Sequence, residues 1–444
     1  MLNLNSLLLL FAAGVVPNIF FFSASVFFLA ERMISPLLYV VAALVMIFVS
    51  PIVGWVAFIL VAATDLGLII LYAFHLPLPL ALDSLKYIAS IDIRASLLYV
   101  AILSVVTATT SISAYLIQRH RERFRLASPT PVVMLALALF AYDRVYTFPH
   151  FQIEPARFES ARTLSGLTET RIIANGRNLL IVMVEGLGAF ADPSDRQIFE
   201  MALRKDLPTG RFAFHTGTTA YKGSTTGAAA RELCGEWADY LKYLGGGDYD
   251  CLPRTLARAG YRTIAYHGFS SSMFERARWY PDIGFTELQF PDTLLRDHGA
   301  ELDRRCGSVF TGLCDDQLGH VIHARLVDKP DEPKMIYWLT LNSHVPFVAE
   351  KGGRLGCDQP QPRIDDRTVC HLSEIWLDVF DRVNEMAADP KLPPTDILIV
   401  GDHHTPLWRR SAKNKFTLGR VDWFLLSDRR ESGHRLRLSE SAAM

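Results

Sequence analysis

Five long apolar runs fill the first third of this 444-residue chain, and they constrain its fold more than any other feature. The runs cover residues 6–29, 36–52, 54–78, 95–117 and 130–148. Each is close to the ~20 residues that a helix needs to cross a lipid bilayer. We therefore expect a helical membrane domain over residues 1–149 with about five spans. Because only Ser50 and Pro51 separate the second run from the third, four or six spans are the alternatives.

The loop between the fourth and fifth runs carries a dense group of basic residues, which are Arg119, Arg121, Arg123 and Arg125. Basic loops of membrane proteins tend to stay on the cytoplasmic side, so this loop predicts a cytoplasmic N-terminus and a C-terminal domain outside the cytoplasm. A nucleic-acid site is the rival interpretation of such a cluster. Its position beside two spans and the net charge of −1 for the whole chain both argue against nucleic acid.

The chain after residue 149 has the composition of a soluble protein. Residues 150–177 are polar and predict a linker, while residues 178–444 are enough for one sizeable α/β core. Between the third and fourth apolar runs lies the segment 79–94, which contains Lys86. We expect this segment to lie along the outer membrane surface, near the globular domain.

All six cysteines lie in the globular part, as three pairs of near neighbours in sequence: Cys234 and Cys251, Cys306 and Cys314, Cys357 and Cys370. Six cysteines allow 15 pairings, of which the nearest-neighbour pairing is the simplest. Disulfides persist in oxidising compartments, which agrees with a domain outside the cytoplasm. Six unrelated buried thiols are the alternative. A zinc cluster is disfavoured because the sequence has no Cys-x-x-Cys spacing.

The stretch NLLIVMVEGLG, at residues 178–188, organises the globular part. Its apolar run predicts a buried parallel strand that leads into Glu185 and turns at Gly186. In open α/β sheets, ligands bind just beyond the carboxyl ends of the strands, so Glu185 is a candidate metal ligand or catalytic acid. A carboxylate that only caps the next turn is the structural alternative.

A second strand of the same design, TDILIVGDHHTP at residues 395–406, comes near the other end of the chain. Its apolar run leads through Gly401 into Asp402, His403 and His404. Carboxylate oxygens and imidazole nitrogens directly after a buried strand are typical of a metal-ligand set. We interpret this motif as the most specific local signal in the sequence.

The turn KGSTT places the hydroxyls of Ser224, Thr225 and Thr226 at the start of an alanine-rich helix that ends near Cys234. Such hydroxyls are ordinary helix caps. A helix N-terminus also stabilises anions, so a hydroxyl beside a metal ion at this point would be a good nucleophile.

Two further predicted strands lead into candidate site residues. YRTIAYHGF, at residues 261–269, predicts a strand followed by Phe274 and Arg276. Arg276 could bind a phosphate and Phe274 could form a pocket wall, with surface charge and packing as the alternatives. MIYWLTLNSHVPF, at residues 335–347, predicts a strand followed by His344, at a position where histidine is more often structural than catalytic.

As an ordered set, these motifs resemble those of the membrane-anchored headgroup transferases with the alkaline-phosphatase or sulfatase-like fold. Lipoteichoic acid synthase, the osmoregulated-glucan phosphoglycerol transferase and the lipid A phosphoethanolamine transferases belong to this family. The resemblance covers nearly the whole chain and implies an α/β domain at residues 178–444 in which helices sandwich a mostly parallel sheet. It also implies a multi-pass protein of the bacterial inner (cytoplasmic) membrane whose catalytic domain faces the periplasm.

The resemblance implies roles for the acidic and hydroxyl residues. Glu185, Asp402 and His403 look like ligands of one divalent metal ion, and their donor atoms suit Mn, Zn or Mg. Thr225 looks like the nucleophile and a further metal ligand, with the hydroxyl on either side of it as the alternative. An alkoxide at this position would attack the lipid phosphate and form a phospho-threonine.

The remaining candidates resemble substrate-binding residues of the same family. Arg276 looks like the arginine that holds the substrate phosphate, and Phe274 matches a neighbouring aromatic position. His344 resembles the histidine that assists the oxygen of the acceptor. His404 has no firm counterpart, and we expect it beside the substrate.

The implied function is transfer of phosphoglycerol or phosphoethanolamine from a membrane phospholipid to a periplasmic glycan or lipid acceptor, carried out by a monomer. The motifs VEGLG and LNSHVPF are closer to the phosphoglycerol branch, whereas the paired cysteines are closer to the phosphoethanolamine branch. The motifs slightly favour phosphoglycerol, and the choice of headgroup stays open.

Two other functions compete with transfer. An extracytoplasmic phosphodiesterase or sulfatase-like hydrolase would share the fold. A sulfatase requires the sequence Cys- or Ser-x-Pro-x-Arg, and the nearest stretch, from Cys251 to Arg254, has the wrong spacing. A non-catalytic membrane sensor would be expected to lack at least one ligand residue, yet the acids, the hydroxyl and the histidine are all present.

Overall fold

The computed structural model describes residues 3–28, 32, 34–73, 76–147, 157–221, 223–349, 352–407 and 409–431. The chain divides into two compact units. The first comprises Met1–Ala81, Ile93–Glu154 and Leu407–Arg409. The second comprises Leu82–Asp92, Pro155–Pro406 and Arg410–Met444. Residues 150–156 of the predicted linker lie outside the described residues.

The described chain before residue 148 is helical. Its α-helices are α1 Leu4–Leu9, α2 Ile19–Phe28, α3 Ser35–Phe48, α4 Pro51–Ala73, α5 Leu78–Ser84, α6 Leu97–Arg119, α7 Arg121–Phe124 and α8 Thr130–Tyr142. Short π-helical stretches occur at Leu10–Val15 and Asp143–Thr147, and 3-10 turns at Leu85–Ser90 and Ile93–Ala95. The first unit has its own apolar core, in which Tyr39, Met46 and Phe58 are fully buried.

Two of the described helices are long and apolar enough to cross a membrane, namely α6 and the part of α4 over Pro51–Leu71. The first apolar run forms two segments, Leu4–Val15 and Ile19–Val26, which meet at a bend of 48° and together make a third candidate. The described helices therefore include two candidate spans, or three if the bent pair counts as one, where the sequence predicts about five.

The breaks in the helices explain the difference from five spans. Pro17 falls at the bend in the first run, where proline cannot donate its backbone hydrogen bond. The second run forms only the 14 residues of α3, because Pro51 starts a new helix. The fifth run forms the 13 residues of α8 before it passes into a π-helix. Both helices are shorter than the ~20 residues that a span requires.

A buried ion pair lies inside the first unit. The Arg32 guanidinium donates to Asp65 Oδ2 at 2.6 Å and to Asn18 Oδ1 at 2.7 Å. Asp65 is the acid within the third apolar run, and the pairing removes the large cost of burying its charge alone.

The second unit is an α/β domain. Its strands are β1 Asn178–Val184, β2 Gly188–Phe190, β3 Phe212–Ala220, β4 Arg262–His267, β5 Glu287–Gln289, β6 Arg305–Cys306, β7 Gly312–Leu313, β8 Lys334–Leu339, β9 Thr395–Gly401 and β10 Phe416–Asp428. Its helices are α9 Ala161–Leu164, α10 Glu169–Asn175, α11 Pro193–Arg204, α12 Thr225–Cys234, α13 Leu252–Arg258, α14 Arg276–Asp282, α15 Pro291–His298, α16 Asp315–Val327, α17 Arg367–Ala388 and α18 Arg410–Lys413. Further 3-10 turns occur at Tyr240–Gly245 and Met273–Glu275.

The main sheet has eight strands in the order β2-β10-β9-β1-β8-β4-β5, with β3 also paired to β10. The five strands from β9 to β5 are parallel, whereas β10 runs antiparallel to β9, β2 and β3. The sheet is therefore mixed, with a parallel centre. This agrees with the predicted mostly parallel sheet and adds an antiparallel edge that the sequence did not indicate.

Helices cover both faces of the parallel centre. Every residue of β1, β8 and β9 is buried, which requires cover on each side of the sheet. The helix α17 packs against α11 and α16, while α13 packs against α10, α12 and β4. The long helix α17 starts at a cap in which Asp366 accepts from the backbone N–H groups of Thr368 and Val369.

The register of the central strands brings two acids together. Val184, at the end of β1, lies opposite Gly401, at the end of β9. Glu185 and Asp402 each follow directly in sequence, so both leave the sheet at the same carboxyl edge. This is the edge at which ligands bind in parallel α/β sheets.

The three disulfides follow the nearest-neighbour pairing, with Cys234–Cys251, Cys306–Cys314 and Cys357–Cys370 bonded. The first ties the end of α12 to the start of α13. The second closes the β6–β7 hairpin just before α16. Each loop is short, so each crosslink acts locally.

Candidate active site

The backbone of Glu185, at the end of β1, is fixed by three hydrogen bonds to side chains of other residues. Its N–H donates to Thr340 Oγ1 at 2.9 Å. Its carbonyl accepts from Ser343 Oγ at 2.7 Å and from Trp376 Nε1 at 3.0 Å. These partners come from the chain after β8 and from α17, so two neighbouring elements hold the carboxylate in one place.

Gly186 makes the tight turn that lets Glu185 approach the loop after β9. Its φ is +72°, and a Cβ added there would lie 2.4 Å from Thr405 Oγ1. That hydroxyl donates to the Gly186 carbonyl at 2.8 Å. Only glycine combines this backbone conformation with so close an approach.

Asp402 has one oxygen bound by the protein and one that is not. Its Oδ1 accepts from the N–H of Gly186 at 2.7 Å and from the N–H of His403 at 2.6 Å. Its Oδ2 is buried and accepts no hydrogen bond from the part of the protein that is described. A buried carboxylate oxygen without a donor is costly unless a cation lies against it.

His403 has the tautomer that a metal ligand requires. Its Nδ1 lies 3.0 Å from the carbonyl oxygen of His404, and since a carbonyl can only accept, Nδ1 carries the proton. In the neutral ring, Nε2 then carries the lone pair. This nitrogen lies 3.3 Å from Asp402 Oδ2 and 3.5 Å from Glu185 Oε1.

These three side chains fit one divalent cation. Glu185, Asp402 and His403 each offer a ligand atom, and these atoms lie within 4.8 Å of one another. Burial raises the pKa of Glu185 well above its usual range, and the nearby Asp402 carboxylate raises it further. Two buried carboxylates at this distance repel each other, and a bound cation would remove that repulsion.

Thr225 is the hydroxyl of the KGSTT turn that points at this cluster. It begins α12, and its Oγ1 lies 3.4 Å from Glu185 Oε2 and 3.5 Å from His403 Nε2. The hydroxyls of Ser224 and Thr226 instead lie 2.9 Å from each other, and both residues are buried. Of the three candidate hydroxyls, Thr225 is therefore the one placed beside the predicted metal ligands, at a helix N-terminus.

Arg276 adds positive charge to the same region. Its side chain is buried, with the residue 4% exposed, and its guanidinium carbon lies 5.4 Å from the centre of the Phe274 ring. Its NH1 donates to the Met273 carbonyl at 3.3 Å. Its charge lowers the pKa of Glu185, although less than burial raises it.

The two remaining candidate histidines differ in their surroundings. His344 Nδ1 lies 2.8 Å from the Val345 carbonyl, so it carries the proton, and the ring lies 4.2 Å from Phe310. Burial lowers the pKa of His344 to about 4, and the neighbouring His403 lowers it as well, so His344 is neutral near pH 7. His404 packs 5.4 Å from the Tyr221 ring and is not one of the three clustered ligands.

Arg231 is a site residue that the sequence did not reveal. Its guanidinium is fully buried and donates to the carbonyls of Gly401 at 2.8 Å and Asp402 at 3.3 Å. It also forms an ion pair with Glu232 at 2.7 Å. The Glu232 carboxylate in turn accepts from the N–H groups of Ala161 and Arg162. A signal was present, because an Arg-Glu pair inside an alanine-rich, buried helix requires specific partners.

Cys251 does not resemble a sulfatase nucleophile. It is bonded to Cys234 and is buried at the start of α13. A disulfide-bonded sulfur cannot be converted to the oxidised residue that such enzymes need, which supports the conclusion already drawn from the spacing.

The fold and the cluster define an α/β domain with a candidate metal-ligand group, Glu185, Asp402 and His403, at the carboxyl edge of the sheet. Residues 210–413 match the family model described as Sulfatase. The second unit is therefore a sulfatase-like α/β domain. The matched range includes Thr225, Arg276, His344, Asp402 and His403, while Glu185 precedes it. The curated proteins contain no significant match to the chain.

Several solved structures are similar to this chain. The lipoteichoic acid synthase LtaP from Listeria monocytogenes is 17% identical, with 58% of this chain and 68% of that chain covered and a TM-score of 0.43. The Streptococcus pyogenes phosphoglycerol transferase GacH, in complex with sn-glycerol-1-phosphate, is 15% identical, with coverages of 64% and 79% and a TM-score of 0.40. The C-terminal periplasmic domain of EcEptC from Escherichia coli, in complex with Zn, is 12% identical, with coverages of 57% and 72% and a TM-score of 0.35. Similarities of this size do not identify a substrate.

Proposed function

We propose that the second unit transfers a phosphoglycerol or phosphoethanolamine group from a membrane phospholipid to a glycan or glycolipid acceptor, through a covalent phospho-threonine at Thr225. One observation carries the proposal. The Thr225 hydroxyl lies 3.4 Å from Glu185 and 3.5 Å from His403, which are two members of the three-residue metal-binding group. A hydroxyl beside such a group, at a helix N-terminus, is suited to attack a phosphorus atom.

Glu185, Asp402 and His403 would hold one divalent cation, Mn, Zn or Mg, with Thr225 as a further ligand. The unbound Asp402 Oδ2 and the Nε2 lone pair of His403 supply the donor atoms that such a cation needs. When bound, the cation supplies positive charge that favours the alkoxide form of Thr225 and the oxygens of a phosphate.

In the first half of the reaction, Thr225 Oγ1 attacks the phosphorus of the donor lipid. The bond from Oγ1 to phosphorus forms, the bond from phosphorus to the diacylglycerol oxygen breaks, and the proton lost by Thr225 ends on that oxygen. The headgroup phosphate stays on Thr225. Arg276 offsets the negative charge on the phosphoryl oxygens, because its guanidinium is buried and already oriented.

In the second half, an acceptor hydroxyl attacks the same phosphorus and the bond to Thr225 Oγ1 breaks. Neutral His344 accepts the acceptor's proton at Nε2, since its Nδ1 already donates to Val345. The proton is then returned to Thr225, and the free hydroxyl is restored. The cycle is balanced, with one lipid and one acceptor consumed and diacylglycerol and the modified acceptor produced.

The membrane helices fit a donor that is a lipid. The described helices α4 and α6 are long and apolar enough to span a bilayer. We place the second unit outside the cytoplasm, facing the periplasm from the inner membrane, because three disulfides require an oxidising compartment. His404 and Phe274 are assigned to the substrate side of the site, and the enzyme acts as a monomer.

A mass measurement tests this function. The full-length protein in detergent is incubated with phosphatidylglycerol or phosphatidylethanolamine and Mn²⁺ without an acceptor, then digested and analysed. We expect glycerol phosphate or ethanolamine phosphate on the peptide containing Thr225, and no adduct on the Thr225→Ala variant. The Ser224→Ala variant is the matched control and should keep the adduct, because that hydroxyl bonds to Thr226 and not to the cluster. Release of free headgroup phosphate without an adduct would instead favour the hydrolase.

A further inference from the structure

A short segment from between the apolar helices α4 and α6 belongs to the second unit. Residues 82–92 group with the α/β domain rather than with the helices on either side of them in sequence. Three polar contacts join the segment to the rest of that domain. The Tyr240 hydroxyl donates to Asp83, Lys86 pairs with Glu275, and the N–H of Asp92 donates to the Val309 carbonyl at 3.3 Å. The segment is therefore a structural part of the domain.

Lys86 sits at the centre of these contacts. Its Nζ lies 2.8 Å from Glu275 Oε1 and 3.0 Å from Asp83 Oδ1. The Lys86 side chain is 39% exposed, and an ion pair this exposed contributes little to global stability. Its effect is therefore expected to be local, on the conformation of the residues it joins.

Tyr87 provides the apolar half of the same contact. It is 6% exposed, and its ring meets the Phe274 ring edge to face, with the centres 5.5 Å apart. The Tyr240 ring also meets the Phe274 ring, with the ring centres 5.7 Å apart. Tyr87 and Phe274 also share an apolar cluster with Leu341, which lies in the loop that leads to His344. Phe274 is thus held between two tyrosines, one of which comes from the 82–92 segment.

The residues held in this way have an unfavourable backbone conformation. Phe274 and Glu275 both have φ of 54°, in the left-handed region that residues other than glycine rarely adopt. This conformation is strained for residues with a side chain, so two of them in succession need support from their neighbours. Tyr87 contacts the side chain of the first and Lys86 the side chain of the second.

Arg276 follows these two residues directly and begins α14. Its guanidinium lies over the Phe274 ring, and its NH1 donates to the carbonyl of Met273, which precedes Phe274. Both contacts restrict the orientation of the Arg276 side chain. The direction in which the guanidinium points is therefore set by the left-handed pair before it. Whatever holds that pair also holds Arg276.

We propose that the segment 82–92 positions Arg276 for the substrate phosphate, with Lys86 and Tyr87 as positioning residues. This inference rests on the proposed function, in which Arg276 offsets charge on the phosphoryl group. The orientation of Arg276 would then depend on a stretch of chain that precedes the α/β domain by more than sixty residues in sequence. A fragment that starts at residue 157 would lack this support.

The test uses the full-length protein with Lys86→Ala and Lys86→Arg. We expect Lys86→Ala to lower kcat/KM for headgroup transfer by about two- to fivefold, as loss of a partly exposed ion pair allows. The loss should fall on kcat more than on KM, because a displaced Arg276 fails chiefly where charge develops. Lys86→Arg should keep most of the activity, because it keeps a cation between Glu275 and Asp83.

A double-mutant cycle shows whether Lys86 acts through Arg276. In an Arg276→Ala background, Lys86→Ala should have no further effect on kcat/KM, since the residue it positions is gone. Losses that multiply would overturn the inference. The control is Arg258→Glu with its partner Asp248→Arg, another exposed ion pair, for which we expect unchanged kinetics.

Hydrogen exchange provides a readout that does not depend on the reaction. Amide exchange in the peptide over residues 270–280 should be faster in Lys86→Ala than in the parent protein, while the peptide that contains Thr225 stays unchanged. Equal exchange in both proteins would overturn the positioning role. If the parent protein forms no adduct on Thr225, the proposed function fails, and the exchange measurement still decides whether Lys86 holds the turn.

Discussion

The Arg231 guanidinium donates to the carbonyl oxygen of Gly401 at 2.8 Å, and this bond joins the helix that begins with Thr225 to the strand that leads into Asp402. A second bond, from Arg231 to the Asp402 carbonyl at 3.3 Å, reinforces it. The distance between the candidate nucleophile and the candidate metal ligands is thus set by a side chain two turns along the same helix. The buried charge is balanced by Glu232.

Replacing Arg231 by methionine should therefore destabilise the second unit by about 3–5 kcal/mol, because the Glu232 carboxylate would stay buried without its cation. Chemical unfolding followed by tryptophan fluorescence measures the change. The double variant Arg231→Met, Glu232→Gln should recover part of the loss, since no uncompensated charge remains. As the control, Arg258→Met removes an exposed partner of Asp248 and should cost less than about 1 kcal/mol. Equal losses for the buried and exposed arginines would contradict this account.

Thr225→Ala should lower the rate of headgroup transfer by more than about a thousandfold, because no covalent phosphate can form without the hydroxyl. Thr225→Ser keeps a hydroxyl at the same place and should retain measurable activity. The assay follows diacylglycerol release from labelled phospholipid by the full-length protein. Thermal unfolding of both variants should match that of the parent, which separates loss of chemistry from loss of fold. Full activity in Thr225→Ala would rule out the covalent mechanism.

The sequence alone predicted the ends of the central strands because parallel strands follow a simple rule. An apolar run that leads into an acid, in two strands that lie side by side, brings both acids to one edge. The Val184–Gly401 register is what places Glu185 beside Asp402. The KGSTT turn also predicted hydroxyls at the start of a helix, but the choice of Thr225 among them came from the resemblance to a known family and not from a local rule.

Contacts that depend on how a helix is rotated about its own axis could not be predicted from the sequence. Arg231 lies six residues after Thr225, and whether it meets the β9 carbonyls depends on how α12 packs, which no local pattern specifies. The described helices give two or three candidate spans where the sequence predicts about five, and the reason is different. A count of apolar residues ignores helix breaks such as those at Pro17 and Pro51, and these shorten the runs.

Binding of Mn²⁺ or Zn²⁺ should stabilise the protein against unfolding. At a free metal concentration of 100 times Kd, the gain is about 2.7 kcal/mol if only the folded state binds. Thermal unfolding with and without metal, after treatment with a chelator, measures it. Asp402→Ala should abolish the stabilisation, since it removes the oxygen that has no hydrogen bond. His404→Ala is the matched control, as it alters a histidine in the same loop outside the three-residue cluster. Loss of the effect in both variants would contradict the assignment of the ligands.

The pH dependence of stability should reveal the buried carboxyl of Asp315. Its Oδ2 accepts from the N–H groups of Leu341 and Asn342, at 2.9 and 2.8 Å, in the loop that leads to His344. Burial raises the pKa of Asp315 from 3.8 to about 7. Because the folded state holds this proton more tightly than the unfolded state, the contribution of Asp315 to stability falls as pH rises from about 4 to 7 and is about 4 kcal/mol lower above that range.

Asp315→Asn removes the titration, so the difference in unfolding free energy between variant and parent should shift in favour of the variant across this window. A constant difference between Asp315→Asn and the parent from pH 4 to 8 would show that the carboxyl does not titrate in this range.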